Sequence, residues 1–215
     1  MIKIIVVDDH DLVRTGIIRL LEDTDKITVV AEANCGEDAV KLCREIDPCV
    51  VLMDINMPGI GGLEATKKII RFNPDIKIIA VTAYNDEPFA ARFMQAGASG
   101  FISKGAGVAE ILTAIVKVRS GQRYISPEIA QRMALKPFSE QNLSPFDLLS
   151  EREMQTVLMI VSCNKVQEIS DKLCVSPKTI NTYRYRIFEK LGISGDVELT
   201  ILAMKYGIVD LQKAI

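Results

Sequence analysis

Four apolar stretches in the first half of the chain end in side chains that could do chemistry. Asp8 and Asp9 follow the first stretch, and Asp54, Thr82 and Lys104 each follow or close a later one. If these stretches are strands of one parallel sheet, their carboxyl ends meet at the edge where ligands bind in such sheets. The residue types and their positions therefore predict one crevice lined by three carboxylates, a hydroxyl and an ammonium.

The predicted crevice suits phosphoryl chemistry. Three carboxylates in one pocket repel one another unless a cation neutralises them, and a hard ion held by a few carboxylates, a backbone carbonyl and waters suggests Mg²⁺. Beside such an ion, Asp54 could attack a phosphoryl group as a nucleophile. Thr82 and Lys104 would then bind the remaining phosphoryl oxygens. The predicted product is an aspartyl phosphate.

Each of these residues also has an ordinary structural interpretation. Asp9 or Asp11 could cap the first helix, Thr82 could be a plain strand residue, and Lys104 could be a solvated surface charge. We interpret His10 as a first-turn helix residue rather than a ligand. Because the polar groups all fall at strand ends of one chain, the shared site is the favoured interpretation.

The elements that must position these residues alternate between strand and helix patterns. Strands are predicted over residues 3–8, 27–33, 49–54, 76–82 and 100–103, and helices over residues 11–21, 37–46, 63–72, 87–95 and 108–119. This alternation predicts right-handed crossovers in an α/β fold. We expect a five-stranded, doubly wound parallel sheet with helices on both faces.

The strand pattern ends near residue 121. We expect a first domain over residues 1–121, a linker over residues 122–147 with a short helix at 127–135, and a second, all-helical domain over residues 148–215. Four helices are predicted there, over residues 150–162, 166–173, 176–191 and 196–206. Ser150 with Glu153 forms a capping box, and Ser176 before Pro177 is an N-cap followed by proline at the first helical position.

The third helix of the second domain is basic on one side and apolar on the other. A short helix precedes it across a tight turn, which is the arrangement in which the second helix enters the DNA major groove. Basic side chains there would hold phosphates, and amide or hydroxyl groups would reach base edges. A basic amphipathic helix is often only a solvated face. The predicted DNA-contacting residues are Lys178, Thr179, Asn181, Thr182, Arg184, Tyr185 and Arg186.

The first 121 residues or so resemble the receiver domain of bacterial two-component response regulators, and this resemblance implies a flavodoxin-like sheet. The matching motifs are Asp8-Asp9, Asp54, Thr82-Ala83, and Phe101 three residues before Lys104. The resemblance implies that Asp54 accepts a phosphoryl group from a sensor histidine kinase or from a small donor such as acetyl phosphate.

The same resemblance implies roles for the neighbours of Asp54. Mg²⁺ would be bound by Asp9, Asp54 and the main-chain carbonyl of Asn56, with Asp8 assisting. Thr82 and Phe101 would form a switch pair, in which the hydroxyl moves to the phosphoryl group and the aromatic ring follows it inward.

The second domain resembles the LuxR-type helix-turn-helix, so the whole chain is similar to the NarL/FixJ class of response regulators. The resemblance extends over the segment from residue 149 to residue 193, and within it residues 166–170 and 176–186 are most similar to the GacA/UvrY/SirA subgroup. It implies a transcription regulator that binds promoter DNA, as a homodimer when active.

Composition limits the alternatives. A net charge of −2 requires any nucleic-acid contact to be local, and five cysteines with one histidine do not form a zinc motif. No apolar run approaches transmembrane length, so we expect a cytoplasmic protein without membrane contact. Two alternatives stay open: a magnesium-dependent aspartyl-phosphate phosphotransferase or phosphatase, which would usually need an acid where Asn56 stands, and a receiver with a protein-binding output. We do not expect the protein to be an enzyme.

Overall fold

The computed structural model describes residues 1–57, 59–82, 87–135, 144–206 and 208. The chain divides into two compact units, Met1–Ala134 and Leu135–Ile215. Residues 122–134, which were expected to lie in the linker, belong to the first unit. Among the described helices, none has the length and apolar character needed to cross a membrane.

The first unit alternates strands and helices as predicted, and most of the predicted element ends coincide with those observed, the others being shifted by one or two residues. The strands are β1 (Ile2–Val7), β2 (Ile27–Ala33), β3 (Val50–Asp54), β4 (Lys77–Thr82), β5 (Gly100–Ser103) and β6 (Tyr124–Ile125). The helices are α1 (Asp11–Glu22), α2 (Gly36–Ile46), α3 (Gly61–Phe72), α4 (Glu87–Gln95), α5 (Val108–Arg119) and α6 (Pro127–Leu135).

All neighbouring strands are parallel, in the order β2-β1-β3-β4-β5-β6. The chain crosses from β1 outward to β2 and then returns to β3 on the other side of β1, so the strand order reverses between β1 and β3. Val7 pairs with Met53 across these two strands. Ligands bind at such reversal points in doubly wound sheets, and the residues that follow Val7 and Met53 are Asp8 and Asp54.

The predicted fold class is confirmed, but the predicted strand count of five is wrong because β6 adds a sixth strand. Main-chain bonds pair it with the β5 segment: the amide of Tyr124 donates to Ser99, and that of Ser126 donates to Phe101, each at 3.0 Å. A two-residue edge strand has no apolar run or alternation, which is why periodicity did not reveal it. Its β-forming dipeptide after Gly121 was the available signal.

The sheet carries a hydrophobic core on each face because its strands alternate side chains between the faces. Ile4 and Val6 contribute to the core beneath α1 and α5, whereas Ile5 and Val7 contribute to the core beneath α2 and α3. Strand β3 is buried over its whole length. This double burial fixes the register of the central strands, and therefore the position of the polar residues at their carboxyl ends.

The second unit is helical in its described part. It contains a 3₁₀ turn at Pro145–Leu148 and helices α7 (Glu151–Val161), α8 (Val166–Leu173), α9 (Pro177–Leu191) and α10 (Asp196–Lys205). The predicted capping box of Ser150 and Glu153 is confirmed, as is the cap of α9 by Ser176 ahead of Pro177. The buried residues Ile169, Leu173 and Ile180 pack α8 against α9, which fixes the helix-turn-helix.

Candidate functional site

The predicted carboxylates lie together at the carboxyl edge of the sheet. Asp8 and Asp54 are each 1% exposed, and Asp9 is half-buried beside them. Together with His10, they each offer one possible ligand atom, and these atoms lie within 4.8 Å of one another. His10 was expected to be only a helix residue, yet its Nδ1 lies 2.9 Å from Asp9 Oδ1. The fold therefore adds an imidazole to the acidic group.

Lys104 reaches into this pocket and bridges two of the carboxylates. Its Nζ lies 2.8 Å from Asp8 Oδ2 and 2.8 Å from Asp54 Oδ2. It is positioned by the end of β5, where its amide donates to the main-chain oxygen of Thr82. Lys104 is thus an interior counter-charge, not a solvated surface charge.

Asp54 sits in an environment that disfavours its ionised form. Burial and the neighbouring Asp8 raise the pKa of Asp54 to about 7, although the ammonium of Lys104 and the amide of Asn56 act in the opposite direction. The Asn56 amide donates to Asp54 Oδ1 at 3.3 Å. A bound cation would favour the carboxylate, which is the form that can act as a nucleophile.

The oxygens of the pocket fit a hard divalent cation. The buried atoms Asp8 Oδ2 and Asp9 Oδ1 lie 2.8 Å and 2.9 Å from a basic nitrogen, that of Lys104 and of His10 respectively, but accept no well-directed hydrogen bond among the described residues. Neither Asp9 nor Asp11 caps α1, because the N-cap residue is His10, whose side chain makes no capping bond. Several carboxylate oxygens that are not used in capping, close together and beside a main-chain turn, are the donor set that Mg²⁺ prefers.

Thr82 and Phe101 lie on neighbouring strands beside the pocket. Thr82 ends β4, one residue beyond Val81, the partner of Asp54 in β3, and it is 3% exposed. Phe101 lies in β5 and is fully buried, with its ring packed edge-on against Phe93 at a centroid distance of 6.3 Å. The aromatic ring of the expected switch pair therefore already occupies an interior position.

Most of the residues predicted to contact DNA share one exposed face of α9. At 100° per residue, positions 178, 181, 182, 185 and 186 fall within less than half a turn of the helix, and all five are exposed. Tyr185 is 71% exposed, which is unusual for a large aromatic residue in a folded protein. Ile180 and Ile187 lie on the opposite face and are buried. Thr179 lies at the edge of the exposed face, beside the capping hydroxyl of Ser176.

Arg184 is not on this face. Its Nη2 donates to Asp196 Oδ2 at 2.5 Å, at the start of α10, and its side chain is 27% exposed. Lys190 is also engaged, with its Nζ 2.6 Å from Glu153 Oε2 in α7. These two basic residues join helices within the unit, whereas Lys178 and Arg186 point to solvent.

Comparison with known proteins agrees with this geometry. The family model for the response regulator receiver domain matches residues 4–116, and the model for bacterial regulatory proteins of the luxR family matches residues 147–203. Response regulator GacA of Pseudomonas syringae pv. syringae is 64% identical over 211 residues, covering 98% of this chain and 99% of that protein. Response regulator UvrY of Escherichia coli K12 is 58% identical over 209 residues, covering 97% and 96%.

This chain belongs to the two-component response regulators of the LuxR family. The regulator is also similar to solved structures. A LuxR-family response regulator from Aurantimonas gives a TM-score of 0.61 at 39% identity, covering 64% of this chain and 98% of that one. The RcsB–DNA complex gives a TM-score of 0.58 at 25% identity, covering 94% and 98%.

The family establishes the general function of this response regulator. It combines a receiver with a DNA-binding helix-turn-helix and regulates transcription, as the two resemblances implied. The similarity to GacA and UvrY also confirms the subgroup suggested by residues 166–170 and 176–186. Proteins of this kind are transcription factors rather than phosphotransfer enzymes.

Sequence reasoning missed four polar contacts that the fold of the response regulator creates. Arg14 bonds to Glu32 and to the start of α1, Lys190 pairs with Glu153, and Arg184 pairs with Asp196. Except for the contact within α1, the two residues of each pair are separated by 12 to 37 positions in the sequence. No local pattern links residues at such separations, so only the folded structure reveals them.

Proposed function

We propose that Asp54 is the phosphoacceptor of this response regulator, within a receiver that occupies residues 1–121. The observation that carries the proposal is the position of Lys104 Nζ, 2.8 Å from both Asp8 and Asp54 inside a buried pocket. An ammonium held beside a buried carboxylate is ready to bind the oxygens of a phosphoryl group as they arrive.

The reaction is a transfer to one oxygen of Asp54. That oxygen forms a bond to phosphorus while the bond from phosphorus to the donor breaks, and the donor leaves with the electron pair. The donor is a sensor histidine kinase or a small acyl phosphate such as acetyl phosphate. Lys104 and the hydroxyl of Thr82 bind phosphoryl oxygens, and Phe101 follows Thr82 as the switch residue.

Mg²⁺ is the proposed cofactor, held by Asp8, Asp9, Asp54 and the main-chain carbonyl of Asn56. When bound, it supplies positive charge that neutralises the phosphoryl oxygens during transfer. The crowded carboxylates support this assignment, because their mutual repulsion is relieved by a cation.

Phosphate incorporation tests the assignment of Asp54. The wild-type chain should acquire acid-labile phosphate from acetyl phosphate in the presence of Mg²⁺, and Asp54→Asn should acquire none. Asp25→Asn changes an exposed carboxylate of the same unit and serves as the matched control. Incorporation that persists in Asp54→Asn would place the phosphoacceptor elsewhere.

We further propose that residues 148–215 bind promoter DNA through the exposed face of α9, and that the active form is a homodimer in the cytoplasm. The exposed Lys178 and Arg186 suit phosphates, and Asn181 and Thr182 suit base edges. RcsB, which is similar over most of this chain, was solved with DNA. Two copies would read two half-sites, so binding would depend on protomer concentration.

A footprint on genomic promoter fragments tests the DNA-binding proposal. Protection should strengthen when acetyl phosphate is added to the wild-type chain, and Asp54→Asn should give the same footprint with and without the donor. A footprint that ignores the donor in the wild-type chain would separate DNA binding from phosphorylation. The absence of any footprint would favour a protein-binding output.

A further inference from the structure

Arg14 is a nearly buried cation next to the acidic pocket that the proposed reaction does not use. It lies in the second half of the first turn of α1, and its side chain is 13% exposed. Its guanidinium makes three hydrogen bonds. Nε donates to Glu32 Oε2 at 2.7 Å, Nη2 donates to Asp11 Oδ1 at 2.6 Å, and Nη1 donates to the main-chain oxygen of Asp8 at 2.8 Å.

The first two bonds anchor the guanidinium to parts of the fold outside the pocket. Glu32 lies in β2 and Asp11 begins α1, and both carboxylates are exposed on their outer sides. The hydrogen bonds that Arg14 donates to these carboxylates raise the pKa of Arg14, which stays charged. Because two carboxylates surround this one cation, its charge is already balanced and adds little repulsion toward a metal ion in the pocket.

The third bond acts on the pocket itself. The carbonyl of Asp8 belongs to the peptide group that joins Asp8 to Asp9, so its direction sets the plane from which both carboxylates extend. The side chain of Asp8 also accepts the amide of His10 at 2.9 Å, and its own amide donates to Ala33 in β2 at 3.1 Å. A planar guanidinium held at two points can direct its remaining N–H along one line, which the flexible ammonium of lysine cannot do.

We propose that Arg14 is a positioning residue for the metal pocket: by holding the Asp8 carbonyl, it restrains the backbone that carries the two adjacent carboxylates, which would hold the divalent cation. This inference rests on the proposed function, since it concerns the same cation. Groups that orient metal ligands through a hydrogen bond commonly alter metal affinity when they are removed.

Calorimetric titration of the full-length chain with Mg²⁺ alone tests the inference. Arg14→Ala should weaken Mg²⁺ binding by about 10-fold or more, as loss of a ligand-orienting partner typically does. Arg14→Lys keeps the charge but not the three-way geometry, and it should also bind more weakly than wild type. Arg19→Ala removes an exposed arginine from the same helix and should bind Mg²⁺ as wild type does.

A second measurement separates positioning from stability. In phosphate incorporation from acetyl phosphate, the Mg²⁺ concentration that gives half the maximal rate should rise in both Arg14 variants, whereas the rate at saturating Mg²⁺ should stay near wild type. Melting temperatures, measured without metal, monitor folding. Variants that melt earlier but bind Mg²⁺ with wild-type affinity would overturn the inference and leave the proposed function intact. A wild-type chain that binds no Mg²⁺ would overturn both.

Discussion

The two units of this response regulator use their charged side chains in different ways. In the first unit, the ammonium of Lys104 is enclosed between Asp8 and Asp54, which are almost completely buried. On α9 of the second unit, Lys178 and Arg186 face solvent. Buried charges interact strongly and are little screened by salt, whereas exposed charges interact weakly with their neighbours and are strongly screened.

This difference shows how each region can work. A buried cluster that contains more acids than bases responds sharply to the arrival of a cation or a phosphoryl group, because each new charge changes the energy of the others. An exposed basic face keeps its charges available for a polyanion such as DNA. When the face binds, the counterions condensed on the polyanion are released.

The largest effect is expected from Lys104→Met. The variant leaves two buried carboxylates without their counter-charge, which should lower the free energy of unfolding by about 3 kcal/mol at pH 7 in the absence of divalent cations. Urea unfolding with a chelator measures this loss. Added Mg²⁺ should restore more stability to the variant than to wild type, because the cation replaces the missing charge.

Lys178→Met is the matched control, since it removes an exposed lysine. It should change the free energy of unfolding by less than about 0.5 kcal/mol. The contrast between the units fails if the two lysine variants have equal stability.

An effect of comparable size is expected in the pH dependence of stability. Because the folded pKa of Asp54 is raised from 3.8 to about 7, the folded chain holds a proton that the unfolded chain releases. The contribution of Asp54 to stability therefore falls as the pH rises through this window, by roughly 3 kcal/mol between pH 4 and pH 7. Asp54→Asn removes the titration, so its stability should rise relative to wild type over this range.

Urea unfolding at several pH values with a chelator measures this difference. Asp25→Asn, at an exposed carboxylate, should keep the wild-type pH dependence. If wild type and Asp54→Asn have parallel stability profiles between pH 4 and pH 7, Asp54 does not titrate abnormally in the folded chain.

The ion pair of Lys190 with Glu153 should have a smaller effect. Burial alone raises the pKa of Glu153, but hydrogen bonds from Lys190 and from Ser150 outweigh burial and lower it overall. Stability from this pair is therefore present above the ordinary pKa of 4.5 and is lost as the pH falls through the folded value. Lys190→Met should cost about 1 kcal/mol at pH 7 and less at pH 3.

Arg186→Met provides the comparison on the same helix, because Arg186 is exposed. Its cost should be near zero at both pH values. Thermal unfolding of the two variants measures the difference, and equal melting temperatures would contradict a structural role for Lys190.

The smallest effect concerns DNA binding by the two nearby arginines of α9. Arg186→Ala should reduce the slope of log affinity against log salt for non-specific duplex DNA by about one. Arg184→Ala should leave that slope nearly unchanged, because Arg184 is already paired with Asp196. Fluorescence anisotropy at several salt concentrations measures both slopes. A larger change for Arg184 than for Arg186 would reverse our assignment of the two faces.

The candidate residues of the acidic pocket and of the exposed face of α9 could be predicted from the sequence, because their positions depend only on the local geometry of strands and helices. Apolar strands that end in Asp54, Thr82 and Lys104 must bring those residues to one edge of a parallel sheet. The spacing of Lys178, Asn181 and Tyr185 must bring those residues to one side of a helix. These predictions needed only the period of each element and the direction of the strands.

Other features could not be predicted in this way. Strand β6 has no periodic signal. Arg184 was predicted to contact DNA because it is a basic residue of α9, and its ion pair with Asp196 could not be seen in the sequence. Asp196 pairs with Arg184 across a helix junction 12 residues later, and Glu153 reaches Lys190 over 37 residues. Such pairs depend on how helices pack, which local sequence patterns do not specify.

The sequence alone determined which residues are available and on which edge or face each one lies, because strand and helix periods follow from backbone geometry. Only the tertiary structure decided which charges are buried, which are paired and which remain exposed. Lys104 and Arg184 are both held in ion pairs with residues from distant segments. Arg14 is held beside Asp8 by its bond to Glu32 in β2. The physical reason is that burial and pairing depend on distances between elements, which arise only when the cores have packed.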